Sequence, residues 1–205
     1  MVKLLATAGL SAGYFAVAFL AAHPRVDAEY RSHYLDHTAV CWVPRMLRAG
    51  DSAMTPPASL QVAQLTYPAA CRTLRLGWYD LEDWGVWSRV PDAILRLPRR
   101  PGAREVGLTF RTAPAPNPAV RVRLALNGET VEAEIEPGTT KTVFLPLPPE
   151  GAPHDPDLRL HFLGHATVPD PWRETATREV GLGLVAIRYL PADGATAQDP
   201  RRAIQ

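Results

Sequence analysis

Net charge is nearly absent from this sequence: 22 basic residues face 21 acidic ones, leaving +1 at pH 7. That balance supplies no electrostatic reason to expect a nucleic-acid partner. Lysine is almost missing, with Lys3 and Lys141 the only two. Together with abundant alanine and 21 prolines, this bias speaks of a GC-rich bacterial genome and not of a function. Cysteine is confined to Cys41 and Cys71, which lack the CxxC spacing and the further ligands of a zinc or redox site. Also missing are a G-x-S-x-G elbow, a P-loop and a G-x-G-x-x-G at a strand-to-helix junction. Gly181-Leu-Gly183 falls inside a strand pattern, so it is no phosphate cradle. With no cofactor motif and no catalytic constellation, the expectation is a protein that is not an enzyme.

What is present begins with residues 4–22, nineteen positions without a charge. At 1.5 Å rise per residue they reach about 28 Å, close to the hydrocarbon core of a bilayer. They read as a transmembrane anchor over 1–23. The rival is a signal peptide, for which Ala16-Val17-Ala18 offers a small-x-small cleavage site. The apolar run continues past that site through Phe19 and Leu20, which favours retention. Lys3 on one side and Arg25 and Arg31 on the other leave orientation undecided by charge. Cys41 and Cys71 lie on one side of the anchor and suit a disulfide in an oxidising compartment, the alternative being two buried thiols.

Val26, Tyr30 and Tyr34 recur at helical spacing, and a helix should stop or kink at Pro44. Residues 50–59 are turn-rich, so 24–73 reads as a helical stalk and linker. From Leu74 the period becomes two, as in Leu74, Leu76, Trp78 and in Val106, Leu108, Phe110. Asn127-Gly128 best fits a type I′ turn, and it sets Val120 opposite Ile135, Val122 opposite Ala133 and Leu124 opposite Val131. On the other face Arg121 then meets Glu134 and Arg123 meets Glu132. Residues 180–190 are apolar on both faces, as a central strand is, with Gly181 and Gly183 leaving room for a close neighbour. About nine strands without an intervening helix predict an all-β, two-sheet antiparallel sandwich over 74–191, jelly-roll-like. The tail 192–205 lacks apolar period and reads as disordered.

The segment Leu76-Gly77-Trp78-Tyr79, Glu82-Asp83-Trp84-Gly85-Val86-Trp87-Ser88, then Ala93-Ile94-Leu95-Arg96-Leu97-Pro98, resembles a bacterial β-sandwich accessory domain. That domain is found attached to membrane glycosyltransferases and phosphoglycerol-transferase-like envelope enzymes. The Asn127-Gly128 hairpin and the closing Arg178-Glu-Val-Gly-Leu-Gly-Leu follow in the family's order, and the likeness spans about 74–190. It implies an accessory role on surface glycans, a shape similar to carbohydrate-binding modules, and a main domain in the periplasm on the bacterial inner membrane. This chain departs from the family in having one anchor and no transferase, so a polytopic glycosyltransferase would be a separate partner.

Aromatic faces with nearby carboxylates are how protein surfaces hold sugar rings. Trp78, Tyr79, Asp80, Glu82, Asp83, Trp84 and Trp87 are therefore the candidate glycan-binding residues, the bland reading being that Trp78 and Trp87 are core. The turn from Asp80 to Asp83 matches no calcium loop. Adjacent Glu82 and Asp83 would point apart on a strand and make no hydrolase pair. His33 with His37, and His161 with His165, each lack a third ligand, so no metal site is expected. The functional expectation is a membrane-anchored accessory protein of envelope or exopolysaccharide assembly that binds glycan or docks on a glycosyltransferase. The alternative is a structural subunit of a membrane complex unrelated to glycans, its anchor packing through Gly9, Ser11, Ala12 and Gly13.

Overall fold

Asn127 and Gly128 both take positive φ, 52° and 84°, the backbone that a two-residue I′ turn requires. They join β6 (Val120–Leu126) to β7 (Glu129–Ile135) in a computed structural model that describes Arg31, Tyr34 and residues 55–191. The register is the expected one: Val120 faces Ile135, Val122 faces Ala133, Leu124 faces Val131, Arg121 faces Glu134 and Arg123 faces Glu132. Val120, Val122, Leu124 and Leu126 are buried, while Arg123 and Glu132 meet at 2.8 Å in solvent. An exposed pair of this kind is worth under about 1 kcal/mol. Its value lies in register, since a one-residue slip would bury the charges.

Around this hairpin the described residues form two five-stranded sheets and a two-stranded ribbon, every pairing antiparallel. One sheet runs β1 (Ser59–Gln61), β12 (Gly183–Pro191), β5 (Ala103–Arg111), β8 (Thr140–Pro146), with β3 (Val86–Trp87) also paired to β12. The other runs β2 (Leu74–Leu76), β4 (Asp92–Arg96), β9 (Asp157–Phe162), β6, β7. The ribbon is β10 (Ala166–Pro169) with β11 (Thr177–Val180). Val106, Leu108, Phe110 and Leu145 of the first sheet share one buried cluster with Leu95, Val122, Leu124, Leu158 and Leu160 of the second. Two apolar faces closing on each other make the expected all-β sandwich.

Four details differ from the sequence expectation. Twelve strands occupy the described residues, against about nine expected, because short pieces such as β1, β10 and β11 carry too few residues to show a period. Strand pairing also begins before Leu74: β1 pairs with β12, and Val62 is fully buried. A helix, Tyr67–Thr73, then carries a proline in its first turn, where the missing N–H costs nothing. Leu76, expected inward with Leu74 and Trp78, is instead 62% exposed. A bulge between Leu74 and Leu76 breaks the alternation there. The expected last strand is divided at Gly181 and Leu182: β11 joins the ribbon, and β12 lies between β1 and β5.

No helix among the described residues is long and apolar enough to cross a membrane. The expected anchor 4–22, the stalk helix apart from Arg31 and Tyr34, Cys41, His33, His37 and the tail 192–205 lie outside the described residues.

Candidate functional site

Between β2 and β4 the chain makes a hairpin-like excursion that holds all seven candidate residues. Arg89 N–H donates to Gly77 O at 2.7 Å and Tyr79 N–H to Trp87 O at 3.0 Å, while Trp78 bridges Ser88. Glu82 and Gly85 close the tip reciprocally, at 2.8 and 3.2 Å, leaving Asp83 and Trp84 at the corner.

The side chains separate into two groups. Trp78 is 1% exposed and its Nε1–H donates to Ile94 O at 2.8 Å. Tyr79 is 9% exposed, its hydroxyl donating to Glu179 O at 3.0 Å, and burial pushes its phenol above the usual range. Trp87 is 5% exposed. These three build the core and offer no ring face to a ligand. Asp80, Glu82 and Trp84 are half-buried and Asp83 is exposed.

Trp84 is held from several directions. Its Nε1–H donates to Glu82 Oε2 at 2.8 Å, the Arg111 guanidinium lies 4.3 Å from its ring centroid, and Trp87 meets it edge-on at 4.9 Å and 66°. Gly183 of β12 provides the space: a Cβ there would come within 2.6 Å of Trp84 Cη2. The room expected at this glycine is thus filled by an indole.

The other Glu82 oxygen, Oε1, accepts from Arg178 Nη2. The Arg178 side chain is only 7% exposed, and its guanidinium lies 4.6 Å from the Tyr79 ring centroid. Its buried Nε has no hydrogen-bond partner, which costs about 1 to 3 kcal/mol unless something else meets it. With both oxygens engaged, Glu82 organises the turn and is not free to hold a hydroxyl. Arg178 opens the closing motif of the sequence but was not among the candidate site residues, because its partner lies 96 positions away.

Trp172 is a second omission. It sits in the β10–β11 loop, 57% exposed, and its N–H donates to Asp170 Oδ1 at 2.9 Å. The Tyr79–Glu179 and Glu82–Arg178 bonds fasten its ribbon to the 77–89 excursion. The Asp170-Pro-Trp172 turn was the available signal. His161 pairs with Asp92 at 2.7 Å, and His165 lies 3.9 Å from Glu179. Among the described residues no three His, Cys, Asp or Glu side chains are grouped to hold a metal ion.

No family model matches the chain, and no curated protein matches it. Among solved structures the chain is similar to an acetyl xylan esterase from the rumen bacterium Butyrivibrio proteoclasticus, at 11% identity and a TM-score of 0.37. The likeness covers 65% of this chain and 32% of that one, so the chain spans about a third of that structure's length. The expectation that this protein is not an enzyme is corrected here and not carried further, since the solved structure it resembles is an enzyme. At that level of likeness no activity, substrate or catalytic residue transfers to this chain.

Proposed function

We propose that this chain is a membrane-tethered periplasmic protein of cell-envelope or exopolysaccharide glycan assembly. Its jelly-roll-like sandwich binds glycan or docks beside a glycosyltransferase. The supporting observation is the 82–85 turn, where exposed Asp83 adjoins a half-buried Trp84 that Glu82, Arg111, Trp87 and Gly183 hold in one orientation. An indole already fixed in place loses little conformational entropy on meeting a sugar, and the exposed Asp83 carboxylate beside it can accept from a hydroxyl. Trp78, Tyr79 and Trp87 support the turn from below. The nineteen uncharged residues 4–22 support the tether, and the sequence likeness to glycosyltransferase-associated sandwiches supports the setting.

A Cys41–Cys71 disulfide belongs to this reading. Cys71 is buried in the helix Tyr67–Thr73, and no free thiol occurs among the described residues. An oxidising compartment would keep such a bridge.

The test is an envelope-glycan array probed with the full chain in nanodiscs, beside Asp83→Ala and Trp84→Ala. Binding by wild type that both substitutions weaken supports the reading. Absence of binding at millimolar glycan, with the fold intact by circular dichroism, sinks its glycan half. Asp83→Ala keeps the comparison interpretable if Trp84→Ala loosens the core.

A further inference from the structure

Register lays out the outer face of the sheet that carries Gly183. In β5, Val106, Leu108 and Phe110 are fully buried, so Gly107, Thr109 and Arg111 lie on the opposite face. Pairing sets Gly183 beside Arg111, Ala186 beside Thr109 and Arg188 beside Gly107. On the other flank Thr142 adjoins Thr109 and Phe144 adjoins Gly107, while Gln61 of β1 adjoins Ala186. Arg111 thus stands in one row of this face and Arg188 two rows further along it. The Phe144 ring fills the space above Gly107, where a Cβ would come within 2.9 Å of its Cε1, much as Trp84 fills the space above Gly183. Each end row therefore pairs an aromatic ring with an arginine. The row between them offers the Gln61 amide and the hydroxyls of Thr109 and Thr142, which lie 3.0 Å apart. Arg188, Thr142 and Gln61 are exposed, and Arg111, Thr109 and Phe144 are half-buried.

We propose that this face binds an acidic oligosaccharide, its carboxylates met by Arg111 and Arg188 and its hydroxyls by the row between them. The inference rests on the glycan reading above and names the class of glycan. Among the described residues neither arginine has a carboxylate within ion-pair distance. The Arg111 guanidinium lies over the Trp84 and Trp87 rings, at 4.3 and 5.6 Å. A guanidinium stacked on aromatic rings keeps its in-plane N–H donors for an anion, and a carboxylate matches their fork. None of the three rows carries a carboxylate of its own; Glu105 lies one row beyond Arg188, opposite Leu190. Four residues of antiparallel strand separate Arg111 from Gly107, about 13 Å. One sugar ring does not reach both cations, so the ligand that fits is a chain of sugars. Trp84 and Phe144 add apolar surface for ring faces beside each cation.

The test titrates the full chain, in phosphatidylcholine nanodiscs, with oligogalacturonate and with the same oligomer after its carboxyl groups are reduced to alcohols. Calorimetry should show the acidic form binding about tenfold more tightly, galacturonic acid itself binding more weakly still, and added salt eroding the preference. Arg188→Gln, an exposed change, should remove most of the preference. Arg159→Gln, the same change of charge at an exposed position of the other sheet, should leave it. Equal affinity for the two forms overturns this inference and leaves the glycan reading standing. An acid preference that survives both Arg188→Gln and Arg111→Gln, or that Arg159→Gln reduces as much, overturns the face. Absence of binding by either form overturns the inference too, while the glycan reading is judged separately by the array.

Discussion

Glu82 divides its carboxylate between two partners, one oxygen accepting from Trp84 Nε1–H at 2.8 Å and the other from the buried guanidinium of Arg178. A surface turn and a strand of the ribbon therefore depend on one side chain. Removing a partner from a buried ion pair leaves the other charge uncompensated, which costs about 3 to 5 kcal/mol. Glu82→Ala should lower the unfolding free energy by about 3 kcal/mol in urea titration, the lower end because Glu82 is 27% exposed. Arg178→Met, which removes the buried charge and keeps the volume, should cost less than Glu82→Ala. The reverse order would show that the pair does not carry the turn.

Gly183 and the Trp84 indole occupy one space, so Gly183→Ala should act through that indole. Overpacking of this kind costs about 1 to 3 kcal/mol. The penalty should shrink in a Trp84→Ala background, giving a coupling of about 1 kcal/mol in a double-mutant cycle. Additive effects would contradict the close approach.

Asp157 titrates below the usual carboxylate range because Arg96 hydrogen-bonds it, through Nε at 2.8 Å. A folded-state pKa lowered below the unfolded one adds stability above the unfolded value, about 3.9, and that stability is lost as pH falls through the folded one. Asp157→Asn should therefore be less stable than wild type at pH 7, by under about 1 kcal/mol because both side chains are partly exposed. The gap should begin to narrow as pH falls below about 4 and go on narrowing through the lower folded-state value. Melting curves taken stepwise from pH 7 into the acid range follow it.

If Cys41 and Cys71 are bridged, the chain should migrate faster without reductant on denaturing gels than with it. Cys41→Ser should then lower stability by about 3 to 4 kcal/mol on the chain-entropy account. Unchanged migration would remove the bridge.

The β6–β7 hairpin was legible in full because its determinants are local. Asn127-Gly128 supplies the φ > 0 backbone, and the Val-Arg-Val-Arg alternation can satisfy burial in one register only. The core positions at Val106, Leu108 and Phe110 followed from the same period of two. Other elements were not legible, because their determinants are distant in sequence. Nothing near Leu76 announces a bulge, since the bulge is a relation to Leu95 and Ile94 across the sheet. Trp78 and Trp87 are buried, as the alternative core reading of the sequence had it, but nothing near Tyr79 marks it as buried with them.

The alternation of side chains and the turn residues, read along the chain alone, determined an antiparallel all-β sandwich and the pairing of its clearest hairpin. Tertiary packing decided the rest, down to the break that divides β11 from β12. A Cβ at Gly181 would come within 2.7 Å of Phe162 and 2.6 Å of Ser88 Oγ, neighbours that only the folded chain brings there. It likewise decided that of seven candidate residues Trp78, Tyr79 and Trp87 face inward, while Asp83 and part of Trp84 face solvent. Periodicity ranks positions by face within a strand, but which face becomes interior depends on the sheet that closes over it.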